Sequence, residues 1–422
     1  MTMSSDSVRG VDRRRLLRWG GVAAAGVVAS GAQVADAHPG HAAPARTDPD
    51  TIPPDTRPGG AYDRYVAKLA AEDKFSGVVL LSHRGRTVLS RSYGMADKEK
   101  GIRNDQGVAF SLSSAGKPFG AVAVLQLAQQ GRLKLWDTVG THLSGFAKEI
   151  AEKVTIHHLL SGTSGLSNPD VDVQRVFQSR EEVREYNERW ARQAELVAAP
   201  GTPTDHVGAE VAIPAQIVEA VTGTTYWDYV EEHVFGRCGM TGTGFYTRPQ
   251  WLTDERIAHP YMELADGSRV DAVRNLDKGS PSPHQPGRNP GRSFIDAPGD
   301  GGFATARDLV RFAHALGDGT VLDRRYAEVL TGAKAPLPPQ GGGLRDSDRA
   351  VPADAGFAAY SLPVHITGGQ WVWGRAGGDP GVGASWNIYP DTGWVGVILS
   401  NCDGVPLWEI IDQEIRAVTG SR

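Results

Sequence analysis

The sequence predicts an α+β protein in which an antiparallel sheet is flanked by helices and joined to a mostly helical subdomain. Two strand-like runs lie near residues 75–90, helical runs fill the middle, and three strand-like runs followed by a helix end the chain. The first and last strand-like runs are therefore expected to share one sheet. With 422 residues, 40% of them hydrophobic, the chain is long enough to bury such a core.

Hydrophobic spacing justifies each element in turn. Residues 62–71 have the spacing of an amphipathic helix, and the apolar run 75–82 predicts a buried strand that turns at His83-Arg84-Gly85-Arg86 into a hairpin partner. Further helices are predicted at 121–129, 156–160, 180–196, 213–222 and 226–234. Strands are predicted at 371–373, 384–389 and 394–400, before a helix at 407–418. Its apolar residues fall on one face, as docking on a sheet requires.

Two segments, 266–298 and 337–354, are irregular and rich in proline or glycine. Such segments either form the rim of a substrate cleft or are tolerated insertions, and the sequence favours neither reading.

The N-terminus resembles a twin-arginine export signal. Arg13-Arg14-Arg15 precedes a mildly apolar segment, and Ala35-Asp36-Ala37 offers a small-residue cleavage site. The apolar segment is too short and too weakly apolar to favour a membrane anchor. We therefore expect an export signal at 1–37, a flexible linker at 38–60 and one domain at 61–422. The expected partner in export is the twin-arginine machinery, and the expected location is extracellular or in the cell envelope, without stable membrane insertion after cleavage.

Charge and motif content exclude several classes of function. The formal net charge of −5 favours neither nucleic acid nor an anionic membrane as a partner. No C-x-x-C or H-E-x-x-H spacing occurs, so no metal or other cofactor is expected. The two cysteines, Cys238 and Cys402, could form a bridge in an exported protein, but they make no disulfide framework.

The pair Ser114 and Lys117 is the strongest chemical signal in the chain. The S-x-x-K spacing places both side chains on one face of a helix, where an amine can take the proton of a hydroxyl. This indicates acyl transfer through a covalent serine intermediate. The alternative is an N-capping serine beside a surface lysine.

Several further motifs occur in an order that resembles one family. Phe75-Ser76-Gly77 precedes the S-x-x-K, and the run from His157 through Ser161-Gly162-Thr163-Ser164-Gly165-Leu166 follows it. Pro200-Gly201-Thr202, Gly301-Gly302-Phe303 and Arg375-Ala376-Gly377-Gly378 come later. From about 62 to 420 the chain resembles the serine β-lactamase and penicillin-binding-protein-like family, in the branch of class C β-lactamases, D-aminopeptidases and esterases.

The resemblance implies a β-lactamase/transpeptidase-like fold. Its sheet region would come from 61–110 and 300–422, and its helical region from about 111–260. It also implies Ser114 as nucleophile, Lys117 as its activating partner, and the Ser114 backbone N–H as half of an oxyanion hole.

The second family motif, Y-x-N, corresponds here to His206-Val207-Gly208. A histidine can replace the tyrosine in proton transfer, but Gly208 has no amide with which to hold the lysine. His206 is thus a working acid/base, a polar wall residue or a remnant of lost catalysis.

The third family motif corresponds to Arg375-Ala376-Gly377. The resemblance implies that Arg375 binds a substrate carboxylate or carbonyl, that Gly377 lets substrate lie against the strand, and that Gly378 supplies the second oxyanion N–H. The alternative for Arg375 is a salt bridge facing solvent.

These observations predict an exported serine hydrolase that acts on a small ester, amide or D-amino-acid peptide. β-Lactams are less expected, because the second motif is altered. Two alternatives stay open: acyl transfer to an amine or alcohol from the same acyl-enzyme, and a non-catalytic binding module with a degenerate site.

Overall fold

The computed structural model describes residues 51–204, 207–337 and 355–421, all of which belong to one compact unit, Arg46–Arg422. The expected export signal, most of the linker, His206 and nearly all of the irregular segment 337–354 lie outside these residues. The division into signal, linker and domain stays a prediction.

An eight-stranded antiparallel sheet forms the centre of the described chain. The strands are β1 Gly77–His83, β2 Arg86–Tyr93, β3 Met95–Asp97, β4 Ile102–Arg103, β5 Phe110–Ser111, β6 Tyr261–Glu263, β7 Arg269–Asp271, β8 Phe303–Ala304, β9 Ala335–Pro336, β10 Ala355–Ala358, β11 Val364–Thr367, β12 Gln370–Asp379, β13 Val382–Tyr389 and β14 Trp394–Ser400. The strand order in the large sheet is β2-β1-β14-β13-β12-β11-β10-β9, and the pairs β3-β4, β5-β8 and β6-β7 form small two-stranded sheets.

The pairing of β1 with β14 brings the two ends of the domain together. Gly77 is opposite Ser400, and the register continues without a shift to His83 opposite Trp394. Both strands are buried along their whole length, as central strands covered on both faces must be. The predicted α+β fold, with a large antiparallel sheet flanked by helices, is confirmed.

Most of the helices lie between β5 and β6 in the sequence. The helices are α1 Ala61–Ala71, α2 Lys117–Gln129, α3 Val139–His142, α4 Lys148–Lys153, α5 Ile156–Leu160, α6 Arg180–Ala191, α7 Ala209–Thr222, α8 Tyr226–Val230, α9 Arg248–Thr253, α10 Ala306–Gly317, α11 Arg324–Thr331 and α12 Leu407–Thr419. A π-helical segment, Glu231–Gly236, continues α8, and a 3-10 turn, Ser113–Gly116, precedes α2.

Helix α6 is shorter than the periodicity predicts. It ends at Ala191, and the chain then turns so that Leu196 forms an antiparallel bridge with Leu166. The backbone N–H of Ser167 donates to the Glu195 carbonyl at 2.8 Å, which satisfies polar groups that the helix would have used.

The core lies on both faces of the sheet. Along β1, Val78 and Leu80 belong to the core cluster that contains α2 and α10, whereas Val79 and Leu81 belong to the cluster that contains α1 and α12. This alternation is the two-residue period of a strand. Cys238 and Cys402 are both buried and free, so the bridge that the sequence left open is not formed.

One carboxyl group is enclosed between α12 and the sheet. Glu414 is fully buried, and its Oε1 accepts hydrogen bonds from Asn387 Nδ2 and Tyr389 Oη, each at 2.9 Å. Its carboxyl group lies directly on Gly396, where any Cβ would overlap it. Burial raises the pKa of Glu414 from its ordinary 4.5 to about 7, because the charged form loses hydration.

This raised pKa predicts a loss of stability as the pH rises. The folded state keeps the Glu414 proton between pH 4.5 and about 7 while the unfolded chain releases it, so stability falls across that window and then levels off. The free energy of unfolding should drop by about 2 to 3 kcal/mol from pH 5 to pH 8 through this group. Glu414→Gln should remove that part of the pH dependence, as measured by urea unfolding at both pH values. An equal fall in the variant would contradict the assignment.

Candidate active site

Ser114 and Lys117 lie where a 3-10 turn passes into α2. Lys117 Nζ donates to Ser114 Oγ at 2.8 Å, and the lysine side chain is only 3% exposed. Ser113, in the same turn, has a φ of 47°, a left-handed conformation that costs energy in a non-glycine residue. Its hydroxyl donates to the Gly378 carbonyl at 2.9 Å, which ties the turn to β12.

The sheet holds the carbonyl groups of this serine turn. Arg375 Nε donates to the Ser114 carbonyl at 2.8 Å, and Trp386 Nε1 donates to the Ala115 carbonyl at 2.9 Å. Because both donors stand on neighbouring strands, the orientation of the turn follows from the sheet register. Arg375 Nη1 also donates to the Ser361 carbonyl at 3.0 Å, so two nitrogens of this guanidinium are hydrogen-bonded to backbone carbonyl groups.

Strand β12 and the serine turn approach each other without an intervening side chain. A Cβ at Gly377 would overlap the Leu112 carbonyl and lie 2.8 Å from the backbone nitrogen of Ser114. A Cβ at Gly116 would overlap the carbonyl of Gly301 on the opposite side. Glycine is required at both positions, since backbone occupies the space.

The end of β12 directs the backbone of Gly378 toward Ser114. The N–H of Gly374 donates to Pro363 on the side of β12 that faces away from β13, at 3.1 Å. Alternate residues of a strand share a hydrogen-bonding edge, so the N–H and C=O of Gly378 point to that same side. The bond from Ser113 to the Gly378 carbonyl agrees with this. The backbone of Gly378 therefore lies close to the serine turn, and the oxyanion hole expected from the N–H groups of Ser114 and Gly378 stays a prediction.

Asp300 is a site residue that the sequence reasoning missed. Its Oδ2 lies 3.5 Å from Lys117 Nζ, and its Oδ1 accepts from the Gly301 N–H at 2.9 Å. Asp300 falls between the irregular segment that ends at residue 298 and the family motif that begins at Gly301. The available signal was an acidic residue flanked by glycines immediately before that motif.

A bidentate ion pair joins the irregular segment to β12. Arg288 Nε and Nη2 contact the two carboxylate oxygens of Asp379 at 2.6 and 2.8 Å, next to Gly378. This contact favours the cleft-rim reading of segment 266–298. Asp296 lies nearby, where its Oδ2 accepts from the Gly302 N–H at 2.7 Å. Burial, with further contributions from Asp300 and Asp379, raises the pKa of Asp296 to about 7.

At the second motif, the side-chain position of Gly208 is occupied. A Cβ there would lie 2.7 Å from Trp190 Cη2, and the Gly208 N–H donates to Asn168 Oδ1 at 3.0 Å. An asparagine at this position would therefore displace the tryptophan ring. His206 lies outside the described residues, so the structure leaves its role a prediction.

Glu210 is a second acid close to Lys117 and, unlike Asp300, is buried. Its Oε1 accepts from Ser164 Oγ at 2.6 Å and from Thr204 Oγ1 at 2.7 Å. Burial raises the pKa of Glu210, and the hydroxyl donors and the charge of Lys117 partly offset that rise. These bonds explain why Ser164 and Thr204 lie beside the site.

The sheet, its flanking helices and a serine–lysine pair at the start of a buried helix together define a protein of the β-lactamase/transpeptidase-like class. The model of the Beta-lactamase family matches residues 62–419, and the chain belongs to this family. The predicted resemblance is thereby confirmed.

Relatives and solved structures of similar sequence or fold include several hydrolases. The chain is 26% identical over 265 residues to a putative penicillin-binding protein, PbpX, of Bacillus subtilis, covering 63% of this chain and 61% of that protein. It is similar in fold to a D-amino acid amidase from Ochrobactrum anthropi, with a TM-score of 0.66, 19% identity and coverage of 86% and 99%. It is also similar to EstCE1, a hydrolase with promiscuous acyltransferase activity, with a TM-score of 0.67, 21% identity and coverage of 85% and 97%.

The described residues contain neither a membrane-spanning helix nor a cluster of metal-ligand side chains. Within 51–204, 207–337 and 355–421, no helix is both long and apolar enough to cross a membrane. In the same part of the chain, no three histidine, cysteine or acidic side chains are grouped as metal ligands.

The close approach at Gly377 yields a testable prediction. Gly377→Ala should push β12 and the serine turn apart, and a displacement of about 1 Å at a reacting group lowers turnover by about 10²-fold. Gly383→Ala is the matched control, because a Cβ there meets Ser400 at an ordinary 3.6 Å. Hydrolysis of a chromogenic ester, with thermal melting to verify folding, measures both variants. Equal turnover in the two would show that the approach does not position Ser114.

Proposed function

We propose that this protein is a serine hydrolase that forms an acyl-enzyme on Ser114 and acts on a small ester, amide or D-amino-acid peptide. The observation that carries the proposal is the 2.8 Å contact between Lys117 Nζ and Ser114 Oγ, in a lysine that is almost completely buried. A buried amine is easier to keep neutral than an exposed one, and a neutral amine can act as a base.

In the proposed acylation, Lys117 takes the proton of the Ser114 hydroxyl while Oγ bonds to the substrate carbonyl carbon. The N–H groups of Ser114 and Gly378 stabilise the negative charge that develops on the carbonyl oxygen. The bond to the leaving alcohol or amine then breaks, and the leaving group departs with the proton that Lys117 took from Ser114. Water in hydrolysis, or an alcohol or amine in acyl transfer, next attacks the acyl carbon and gives a proton to Lys117. The bond from that carbon to Ser114 Oγ then breaks, and Oγ regains the proton.

The similar proteins support an amide of a D-amino acid as one substrate class, and the family resemblance of the motifs adds esters and D-amino-acid peptides. One similar structure is a D-amino acid amidase, and another is a hydrolase with promiscuous acyltransferase activity. The second keeps acyl transfer as an alternative for this chain. β-Lactams are the less favoured substrates, since Gly208 and the adjacent Trp190 replace an amide that dedicated β-lactamases use.

His206 and Arg375 complete the proposed site. We assign His206 as the second proton carrier, because its side chain titrates near neutral pH. Arg375 contributes by holding the Ser114 carbonyl and by presenting positive charge beside Gly377, where a substrate carboxylate or carbonyl would lie. Export through the twin-arginine machinery, to the cell envelope or beyond, is part of the same proposal and is supported by Arg13-Arg14-Arg15.

Covalent labelling tests the nucleophile and separates the enzyme from a binding module. A fluorophosphonate probe should add its mass to the wild type at Ser114, as read by intact mass and peptide mapping. Ser114→Ala should not be labelled, and Lys117→Ala should be labelled at least about 10³-fold more slowly, because the hydroxyl loses its base. An unlabelled wild type, or equal labelling of Ser114→Ala, would overturn the proposal.

A second experiment tests His206. If it transfers protons, ester turnover should depend on pH in the histidine range, and His206→Ala should lower kcat by about 10²-fold or more. His206→Gln preserves polarity without titrating and serves as the control for a wall residue. An unchanged rate and pH profile in both variants would contradict proton transfer by His206 and would identify it as a wall residue of the cleft.

A further inference from the structure

The contact between Lys117 and a carboxylate from another part of the chain goes beyond the three family motifs. Lys117 opens α2, whereas Asp300 lies in the loop that leads into β8. Gly301 brings this loop onto the serine turn, because its carbonyl occupies the space beside Gly116. The loop is therefore held where the Asp300 carboxylate reaches Lys117 Nζ at 3.5 Å.

The orientation of the Asp300 carboxylate is also restrained. Its Oδ1 accepts from the Gly301 N–H at 2.9 Å, which leaves Oδ2 directed at the lysine. Gly302 donates in turn to Asp296, so consecutive backbone N–H groups hold both acids of this loop. A carboxylate held by backbone keeps its position without depending on a flexible neighbour.

The second motif explains why such a carboxylate has a role here. Gly208 offers no side chain to the lysine, and Trp190 occupies the space in which one would project. Lys117 nevertheless lies in a buried environment, where a cation that forms during reaction needs a compensating partner. Asp300 supplies negative charge and an acceptor from a different element.

We propose that Asp300 is a positioning residue for Lys117, so that Ser114, Lys117 and Asp300 act as a serine–lysine–aspartate triad. The inference rests on the proposed acyl-enzyme function. When Ser114 loses its proton to Lys117, the ammonium that forms lies beside the carboxylate, which stabilises it more than the neutral amine that preceded it. Asp300 itself keeps its charge and receives no proton.

The same contact should reduce the reactivity of Ser114 at low pH. A carboxylate at this distance favours the ammonium form in the free enzyme, so the neutral base becomes available only at higher pH. The titratable and charged groups of the described chain near the Lys117–Asp300 pair include Glu210, Tyr226, Arg288, Asp296 and Arg375. The charges of Glu210 and Lys117 also act on each other, while Glu210 Oε1 is held by Ser164 and Thr204.

The test measures the second-order rate of fluorophosphonate labelling at Ser114 from pH 5 to pH 10. Reaction with the probe forms an Oγ–P bond, releases fluoride and transfers the serine proton to Lys117. The acid limb of the pH profile, in which the labelling rate falls as the pH is lowered, therefore reports the charge of the base. Asp300→Ser removes the carboxylate and retains an acceptor for the Gly301 N–H. Serine is used in preference to asparagine, because asparagine before a glycine deamidates back to an acid.

In Asp300→Ser the acid limb should move to lower pH by about one unit or more, and the plateau rate should fall by about tenfold. Asp300→Glu, which restores a carboxylate, should return the acid limb toward that of the wild type. Asp412→Ser is the matched control, because it removes an acid paired with Arg416 at 2.8 Å on α12 and should leave the profile unchanged.

The outcomes separate the two proposals. Labelling of the wild type with an unshifted acid limb in Asp300→Ser would overturn the triad and leave the Ser114 acyl-enzyme intact. A wild type that is not labelled at Ser114 would overturn both proposals. Thermal melting of each variant identifies a misfolded protein, and if Asp300→Ser does not fold, Asp300→Thr replaces it: an acid limb shifted down by a unit or more supports the triad, and an unshifted limb overturns it.

Discussion

The structure of the site depends on a three-way contact of backbone around one turn. The turn Ser113–Gly116 lies against β12 at Gly377 and against the 300–302 loop at Gly116, and in both places a Cβ would overlap main-chain atoms. Segments that approach so closely fix one another's position, since no side chain can rearrange between them. Ser114 is consequently held beside Gly377, with the turn's carbonyls held by Arg375 and Trp386.

Burial of Lys117 imposes a second constraint, because a charge removed from water must be balanced nearby. The described residues provide this balance inside the site. Asp300 pairs with the lysine, and Arg288 pairs with Asp379 at the end of β12. Glu210 completes the acidic surroundings from α7 and is itself held by two hydroxyl groups. The protonation of the site is thus governed by groups from several elements that reach it from different directions.

Elements with clear local signals were predictable from the sequence. The early hairpin, the strands β13 and β14 and the helix α12 follow from hydrophobic period and turn residues, and the structure has all of them. Strand β11 was missed, because four residues carry too little pattern. Helix α6 was predicted too long, since its last turn is exchanged for the pairing of Leu196 with Leu166. Glu414 reads as an ordinary polar position of an amphipathic helix, yet the fold encloses it completely.

The residues of the candidate site also differ in how far the sequence alone predicts them. Ser114 and Lys117 were identifiable in the sequence because residues three apart on a helical turn are neighbours by local geometry, whatever the rest of the chain does. Their surroundings were not, because Asp300, Gly377 and Trp386 come from distant parts of the chain. Sheet register and packing bring those residues to the serine turn, and both depend on the cooperative burial of two core clusters rather than on any local preference. The pairing of Ser114 with Lys117 is therefore a property of four consecutive residues, whereas the charge that surrounds this pair is a property of the folded domain.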